Sequence, residues 1–165
     1  MMQPYKYCPY CTSILEEKLV EGHDRSTCTE CGWINYRNPV PVVGCLVSNE
    51  EGELLLIKRA LEPAKGSWAL PGGFVELEES PLEAGGRELK EETGLDSQPG
   101  RLIGAYSQES ELYGAVLIVG VEFIVSAYDL HPGDDAKEAK FFPIDEIPQI
   151  PFIAQRKLVK DYLNL

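Results

Sequence analysis

The stretch Ser80–Gly94 constrains this chain more than any other. Serine followed by proline is a helix start, because the serine side chain can cap the free N–H groups and proline gives up nothing at the first helical position. Gly94 supplies a residue that can take the left-handed conformation at a helix end. The spacing predicts one helix from Pro81 to about Thr93, and Glu88, Glu91 and Glu92 at i, i+3 and i+4 share one face of it. Three like charges on one face repel one another. Either the face is a solvated acidic surface or it holds a cation. Oxygen donors without thiolate or imidazole suit Mg²⁺ or Mn²⁺ rather than zinc. Gly85 and Gly86 inside the helix each cost about 1 kcal/mol relative to alanine. Their presence predicts a strand packed too closely for a Cβ.

The remaining pattern is mixed α/β. Val42–Ser48 and Glu53–Arg59 are apolar runs joined by Asn49-Glu50-Glu51-Gly52, which reads as a hairpin. Further strands are expected near Arg101–Gln108, Gly114–Ser126 and Glu138–Phe142, and a last helix over Ile153–Leu163. Pro71-Gly72-Gly73 is a sharp turn. The longest apolar run, Gly114–Ala127, is broken by Glu122 and is too short to span a bilayer. Residues 1–8 lack the apolar stretch of a secretory leader, so the cytoplasm is the expected compartment.

Four of the five cysteines form two CxxC pairs, Cys8/Cys11 and Cys28/Cys31, with sixteen residues between them. Two such turns place four thiolates around one tetrahedral ion, the pattern of structural Zn²⁺. Two disulfides or free thiols are the alternatives, and disulfides need an oxidising compartment. A segment of 38 residues has too little core to fold alone, and zinc would supply the missing stability. The turn-rich stretch Asn35–Pro41 marks a boundary, giving a zinc ribbon over 1–38 and a second domain over 39–165. Cys45 alternates with Val43 and Val47 and reads as a small core residue.

Gly73, Glu79, Arg87-Glu88-Leu89, Glu91-Glu92 and Gly94-Leu95 together resemble the Nudix box at every specified position across 23 residues. The approach Trp68-Ala69-Leu70-Pro71-Gly72-Gly73 is similar as well. The resemblance implies an α/β/α sandwich around a mixed sheet. It also implies metal-dependent hydrolysis of the pyrophosphate bond in a nucleoside diphosphate derivative, releasing a nucleoside monophosphate. By position, Glu88, Glu91, Glu92 and the carbonyl of Gly72 would hold Mg²⁺ or Mn²⁺, and Glu79 with Arg87 would orient the loop on the helix. A carboxylate must take the proton from the attacking water. Glu91, Glu88 and Glu138 are the candidates for that role.

A zinc ribbon joined to such a domain resembles the NADH pyrophosphatase group and related ADP-ribose- or FAD-cleaving enzymes. The Ser-Gln-Pro-Trp-Pro-Phe-Pro run of NADH pyrophosphatases is reduced here to Ser107-Gln108. ADP-ribose, FAD and NADH therefore all stand as candidate substrates. Trp68, Tyr106 and Tyr113 are candidates for stacking on the base, and Arg59 (or its neighbour Lys58) for reaching a phosphate. The resemblance further implies a homodimer. Two other readings remain: an RNA-cap or RNA-processing enzyme that binds through its ribbon, and a non-catalytic nucleotide sensor. Sensors of this type lose box glutamates, and all are present here.

The chain carries a net charge of −12. This disfavours nonspecific nucleic acid and anionic membrane surfaces as partners. The charge is local, however. Residues 73–95 hold seven glutamates against Arg87 and Lys90, and residues 1–38 are nearly neutral. A small pyrophosphate bridged by a divalent cation is compatible with such a site.

Overall fold

The computed structural model describes residues 5–164. The N-terminal unit is a two-stranded antiparallel sheet, β1 (Leu15–Val20) and β2 (His23–Cys28), beside the four cysteines. Three further strands, β3 (Val40–Leu46), β4 (Leu54–Arg59) and the short β5 (Trp68–Ala69), precede helix α1 (Pro81–Thr93). The long hairpin β6 (Ser97–Ser110) and β7 (Gly114–Val125) follows, then β8 (Ala136–Phe142) and helix α2 (Ile153–Leu163). Among the described residues no helix is long and apolar enough to cross a membrane.

The strands after β2 form two sheets, ordered β3-β7-β6 and β5-β4-β8. The first is mixed, with β3 parallel to β7 and β6 antiparallel to β7. It is buried on both faces. On one side Val43, Cys45, Val47, Val121 and Phe123 pack with Ala84 and Leu89 of α1. On the other, Leu46 and Ile118 pack with Ala154, Leu158 and Val159 of α2. Alternate residues of one strand thus feed two cores, as strand geometry requires. Leu55 of β4 joins the α1-side core, while Leu54 and Leu56 join the α2 side.

The expected hairpin over residues 42–59 forms only at its tip. Asn49 N–H donates to Glu53 O at 3.1 Å, and Ser48 bridges Leu54. Beyond that the strands part into different sheets. Both are apolar on both faces, so each finds a longer or better-covered partner than the other: β7 for β3, β8 for β4.

Helix α1 begins and ends where its local chemistry dictates. Ser80 and Glu83 form a reciprocal capping box, and Gly94 ends the helix in the left-handed region at φ 78°. The two internal glycines differ. A Cβ on Gly85 would overlap the Phe123 ring and press on Val43, so this position permits the close helix–sheet approach. A Cβ on Gly86 would only touch Ser97 Oγ at 4.0 Å. Gly86→Ala should therefore raise stability by about 1 kcal/mol, roughly 2–4 °C in Tm for a chain of this size. Gly85→Ala should lower it by about 1–3 kcal/mol through overpacking. Thermal unfolding of the two variants checks this; equal effects would contradict the packing described.

Candidate active site

Two segments frame the glutamate face of α1. The first is the turn Pro71-Gly72-Gly73, which runs along the outer edge of β3: Val43 N–H donates to Gly73 O at 2.9 Å and Cys45 N–H to Pro71 O at 2.8 Å. It lies so close that a Cβ on Gly72 would overlap Val43 O, and one on Gly73 would overlap the Glu88 carboxylate. Gly72 also sits at φ 139°, where a side chain is strained. The second is the loop His131–Asp135. His131 N–H donates to Thr93 O at 2.8 Å and Gly133 N–H to Glu92 O at 3.3 Å, clamping the loop on the last turn of α1.

Glu92 is the most buried carboxylate among the described residues, only 3% exposed. Its Oε2 accepts the Gly72 N–H at 2.8 Å. Burial pushes its pKa up to about 8, partly offset by that hydrogen bond, with the charge of Glu88 acting in the same sense as burial. Burial also raises Glu88, while Arg87 pulls it down. Arg87 is the local counter-ion. Its Nε and Nη2 meet the two oxygens of Glu79 at 2.7 and 2.9 Å, and Nη2 also donates to Phe74 O at 3.1 Å. Nη1 donates to Glu88 at 2.9 Å and Glu91 at 3.1 Å. The bidentate contact holds Glu79 at a pKa of about 2.

The donors suit a hard divalent cation: they are carboxylate oxygens, one of them buried. Glu88 and Glu91 turn to Arg87, and Glu92 turns to Gly72. Among the described residues, only Cys8, Cys11, Cys28 and Cys31 bring three or more ligand atoms within 4.8 Å of one another. Cys8 Sγ lies 3.5 Å from Cys31 Sγ, and Cys11 Sγ 3.4 Å from Cys28 Sγ. A zinc tetrahedron with Zn–S of about 2.3 Å has S···S edges of about 3.8 Å, so the cluster is compatible with that ion.

The remaining candidates scatter. Tyr113 stands at the tip of the β6–β7 hairpin, edge-on to Phe74 with ring centroids 5.2 Å apart, and Phe74 directly follows the glycine turn. Arg59 donates to Pro63 O, stacks 5.3 Å from the Phe152 ring, and its charge acts on Glu92. Trp68 packs edge-on to Phe142 at 4.8 Å. Tyr106 lies on the α2 face of the sheet and donates its hydroxyl to Asp161. Glu138 pairs with Lys58 at 2.8 Å. It lies opposite Lys58, which has the same parity as Leu54 and Leu56, so it points to the α2 side rather than toward α1. The outside carboxylates whose charge reaches the helix glutamates include Asp134, acting on Glu88, and Asp135, acting on Glu92. In the sequence these two are a Gly-Asp-Asp turn, and only the tertiary clamp on α1 gives them meaning. Phe74 was closer to hand, as the residue after Gly73.

A NUDIX domain model matches residues 38–162, and the chain belongs to that family. It is 41% identical over 130 residues to an ADP-ribose pyrophosphatase of Methanocaldococcus jannaschii, covering 78% of this chain and 76% of that protein. It is 26% identical over 148 residues to a NAD-capped RNA hydrolase, NudC, of Stutzerimonas stutzeri, covering 89% of this chain but 51% of that protein. A NUDIX hydrolase crystal structure from Nitrosomonas europaea superposes with a TM-score of 0.78 at 29% identity, covering 97% of this chain and 91% of the other. The protein is thus a Nudix hydrolase, and its N-terminal cysteine cluster is compatible with a zinc ribbon.

The raised pKa of Glu92 has a stability consequence. A folded value of about 8 against an ordinary 4.5 means the fold binds this proton more tightly than the unfolded chain does. The associated stability is full below pH 4.5 and is lost as pH rises through about 8. Without added Mg²⁺ or Mn²⁺, Glu92→Gln should raise Tm by a few degrees at pH 8.5, and the gain should vanish near pH 4.5. Thermal melts of both proteins across that range check it; a gain independent of pH would contradict the burial argument.

Proposed function

We propose that the chain hydrolyses the pyrophosphate bond of ADP-ribose or a related nucleoside diphosphate derivative, releasing AMP from the adenosine end. The observation that carries this reading is the buried Glu92 carboxylate, anchored on the Gly72 N–H beside Glu88 and Glu91 and held in a fold that belongs to the Nudix family. The resemblance to an ADP-ribose pyrophosphatase over most of both chains supports the choice of substrate. Glu88, Glu91 and Glu92, with the Gly72 carbonyl, would hold Mg²⁺ or Mn²⁺. That ion supplies charge neutralisation on the phosphate oxygens and lowers the pKa of the attacking water.

The chain's own residues do the rest. The Glu79–Arg87 pair fixes the turn before the helix, so that the carboxylates keep their spacing when the charge on Nη1 is displaced. Glu91, the most exposed carboxylate of the three, is free to accept the proton of the attacking water. Asp134 and Asp135 add negative charge behind the site. Arg59 lies on the same side and offers the pyrophosphate a guanidinium, whose forked donors match phosphate oxygens. Tyr113 and Phe74 present exposed rings beside the glycine turn, each 40% accessible, for an aromatic base. The four cysteines would hold one structural Zn²⁺, and four thiolate ligands would leave it no open position for substrate.

A second reading, hydrolysis of NAD-capped RNA, is favoured by the NAD-capped RNA hydrolase that matches 89% of this chain. A panel of ADP-ribose, FAD, NADH and NAD-capped RNA with Mg²⁺ and with Mn²⁺, read by AMP or RNA 5′-monophosphate release, separates the two. ADP-ribose is expected to be turned over fastest; activity on the capped RNA alone would overturn the first reading. Glu92→Gln should lower turnover at least about 100-fold, the scale of lost electrostatic stabilisation. Elemental analysis should find about one zinc per chain. Protein without zinc, purified in the absence of chelator, would refute the ribbon assignment.

A further inference from the structure

Helix α2 packs on the face of the sheet opposite α1, yet one of its side chains reaches the turn that builds the glutamate site. Gln155 Oε1 accepts the Leu70 N–H at 3.1 Å. Leu70 opens the run Leu70-Pro71-Gly72-Gly73, just after β5 ends at Ala69. It is buried, and a buried donor without a partner is costly. The chain that follows is stiff. Proline locks the φ of Pro71, and the residue before a proline is confined to extended conformations. Holding the Leu70 N–H therefore holds the next peptide groups with it. Two of these matter here: Pro71 O accepts from the Cys45 N–H at 2.8 Å, and the Gly72 N–H donates to Glu92 at 2.8 Å. Beyond the glycines, Arg87 Nη2 donates to Phe74 O at 3.1 Å. The turn is thus pinned at both ends, from α2 at Leu70 and from α1 at Phe74.

Gln155 is itself held in place. Phe152 at the N-cap of α2 offers no side-chain acceptor, and Gln108 of β6 supplies one instead, its Oε1 taking the Ala154 N–H at 3.1 Å. Arg156 Nη1 donates to Ile150 O at 2.7 Å and to Pro151 O at 3.1 Å. Ala154 and Leu158 lie in one core with Leu70. The first turn of α2 is therefore tied down on both sides of Gln155. We propose that Gln155 is a positioning residue for the cation site. Through the Leu70 N–H it sets where the Pro71-Gly72-Gly73 turn lies, and so where the Gly72 peptide meets Glu92. It acts through Leu70 and Gly72, not on the cation itself. The inference rests on the proposed role of Glu88, Glu91, Glu92 and Gly72 as the Mg²⁺ or Mn²⁺ site.

Gln155→Met keeps the length of the side chain and removes the acceptor, whereas Gln155→Glu keeps an acceptor at the same reach. Mn²⁺ titration of the full chain, well below its Tm, should show binding weakened about tenfold in Gln155→Met, about 1.4 kcal/mol. Gln155→Glu should recover most of that affinity. Amide exchange in the methionine variant should quicken at Leu70 and at Gly72 together. In ADP-ribose hydrolysis the loss should appear as a higher Mn²⁺ concentration for half-maximal turnover, with KM little changed. Gln155→Asn, one methylene too short to reach Leu70, gives the same readings should the methionine variant not fold. A methionine variant that melts lower but binds Mn²⁺ like the wild type overturns the inference, because the bond is then structural only. So does exchange that quickens at Leu70 and not at Gly72, or a glutamate variant as weak as the methionine one. A wild type that binds no Mn²⁺ overturns the cation site and this inference with it; wild-type binding that Gln155→Met leaves intact overturns the inference alone.

Discussion

The arrangement of the glutamate face of α1 rests on the Arg87 guanidinium. A helix with three glutamates on one face is unfavourable unless a cation stands among them, and Arg87 provides one from within the same helix. It binds Glu79 with two parallel bonds, takes the Phe74 carbonyl, and spends its remaining nitrogen on Glu88 and Glu91. One side chain therefore fixes the loop, the helix and the glutamate face together. A lysine has the charge but not the fork, and could not hold both oxygens of Glu79 while reaching the other two carboxylates. Glu92 is the exception. Burial holds its pKa up, the Gly72 N–H rather than Arg87 partly offsets that rise, and it is the carboxylate whose ionisation costs the fold most.

That cost depends on how closely the glycine turn approaches. Gly72 and Gly73 lie against β3 and Glu88 with no space for a Cβ, and Gly85 brings α1 down onto Phe123 and Val43. The same contacts cover the edge of β3, so the segment that builds the site also finishes the sheet. The site is thus not a loop added to a completed scaffold. Moving the turn outward would expose an edge strand and separate Glu92 from its only backbone donor among the described residues.

Features set by local chemistry were legible in the chain. Ser80, Pro81 and Gly94 bound α1 at the expected residues, and the CxxC spacing brought four sulfurs into one cluster. Features set by register or by distant contact were not. Glu138 sits on a strand where one step in parity decides the face, and its pairing with Lys58 turns it away from α1. Tyr106 and Tyr113 are seven residues apart on one hairpin, yet one lies under α2 and the other reaches the glycine turn. Asp134 and Asp135 read as a solvated turn until the loop is seen clamped to the last turn of α1. Of the two helix glycines, only Gly85 has the close neighbour that both seemed to require by composition.

The net charge of −12 divides accordingly into a solvated share and a share gathered around Glu92, where it creates demand for a cation. The most direct test of this account is Mn²⁺ binding to the whole chain, followed by electron paramagnetic resonance of the free ion. The wild type should remove Mn²⁺ from solution, and Glu92→Gln should weaken that binding at least about tenfold, a loss of about 1.4 kcal/mol. Equal Mn²⁺ affinity in the two proteins would contradict the assignment of the α1 carboxylates as the cation site.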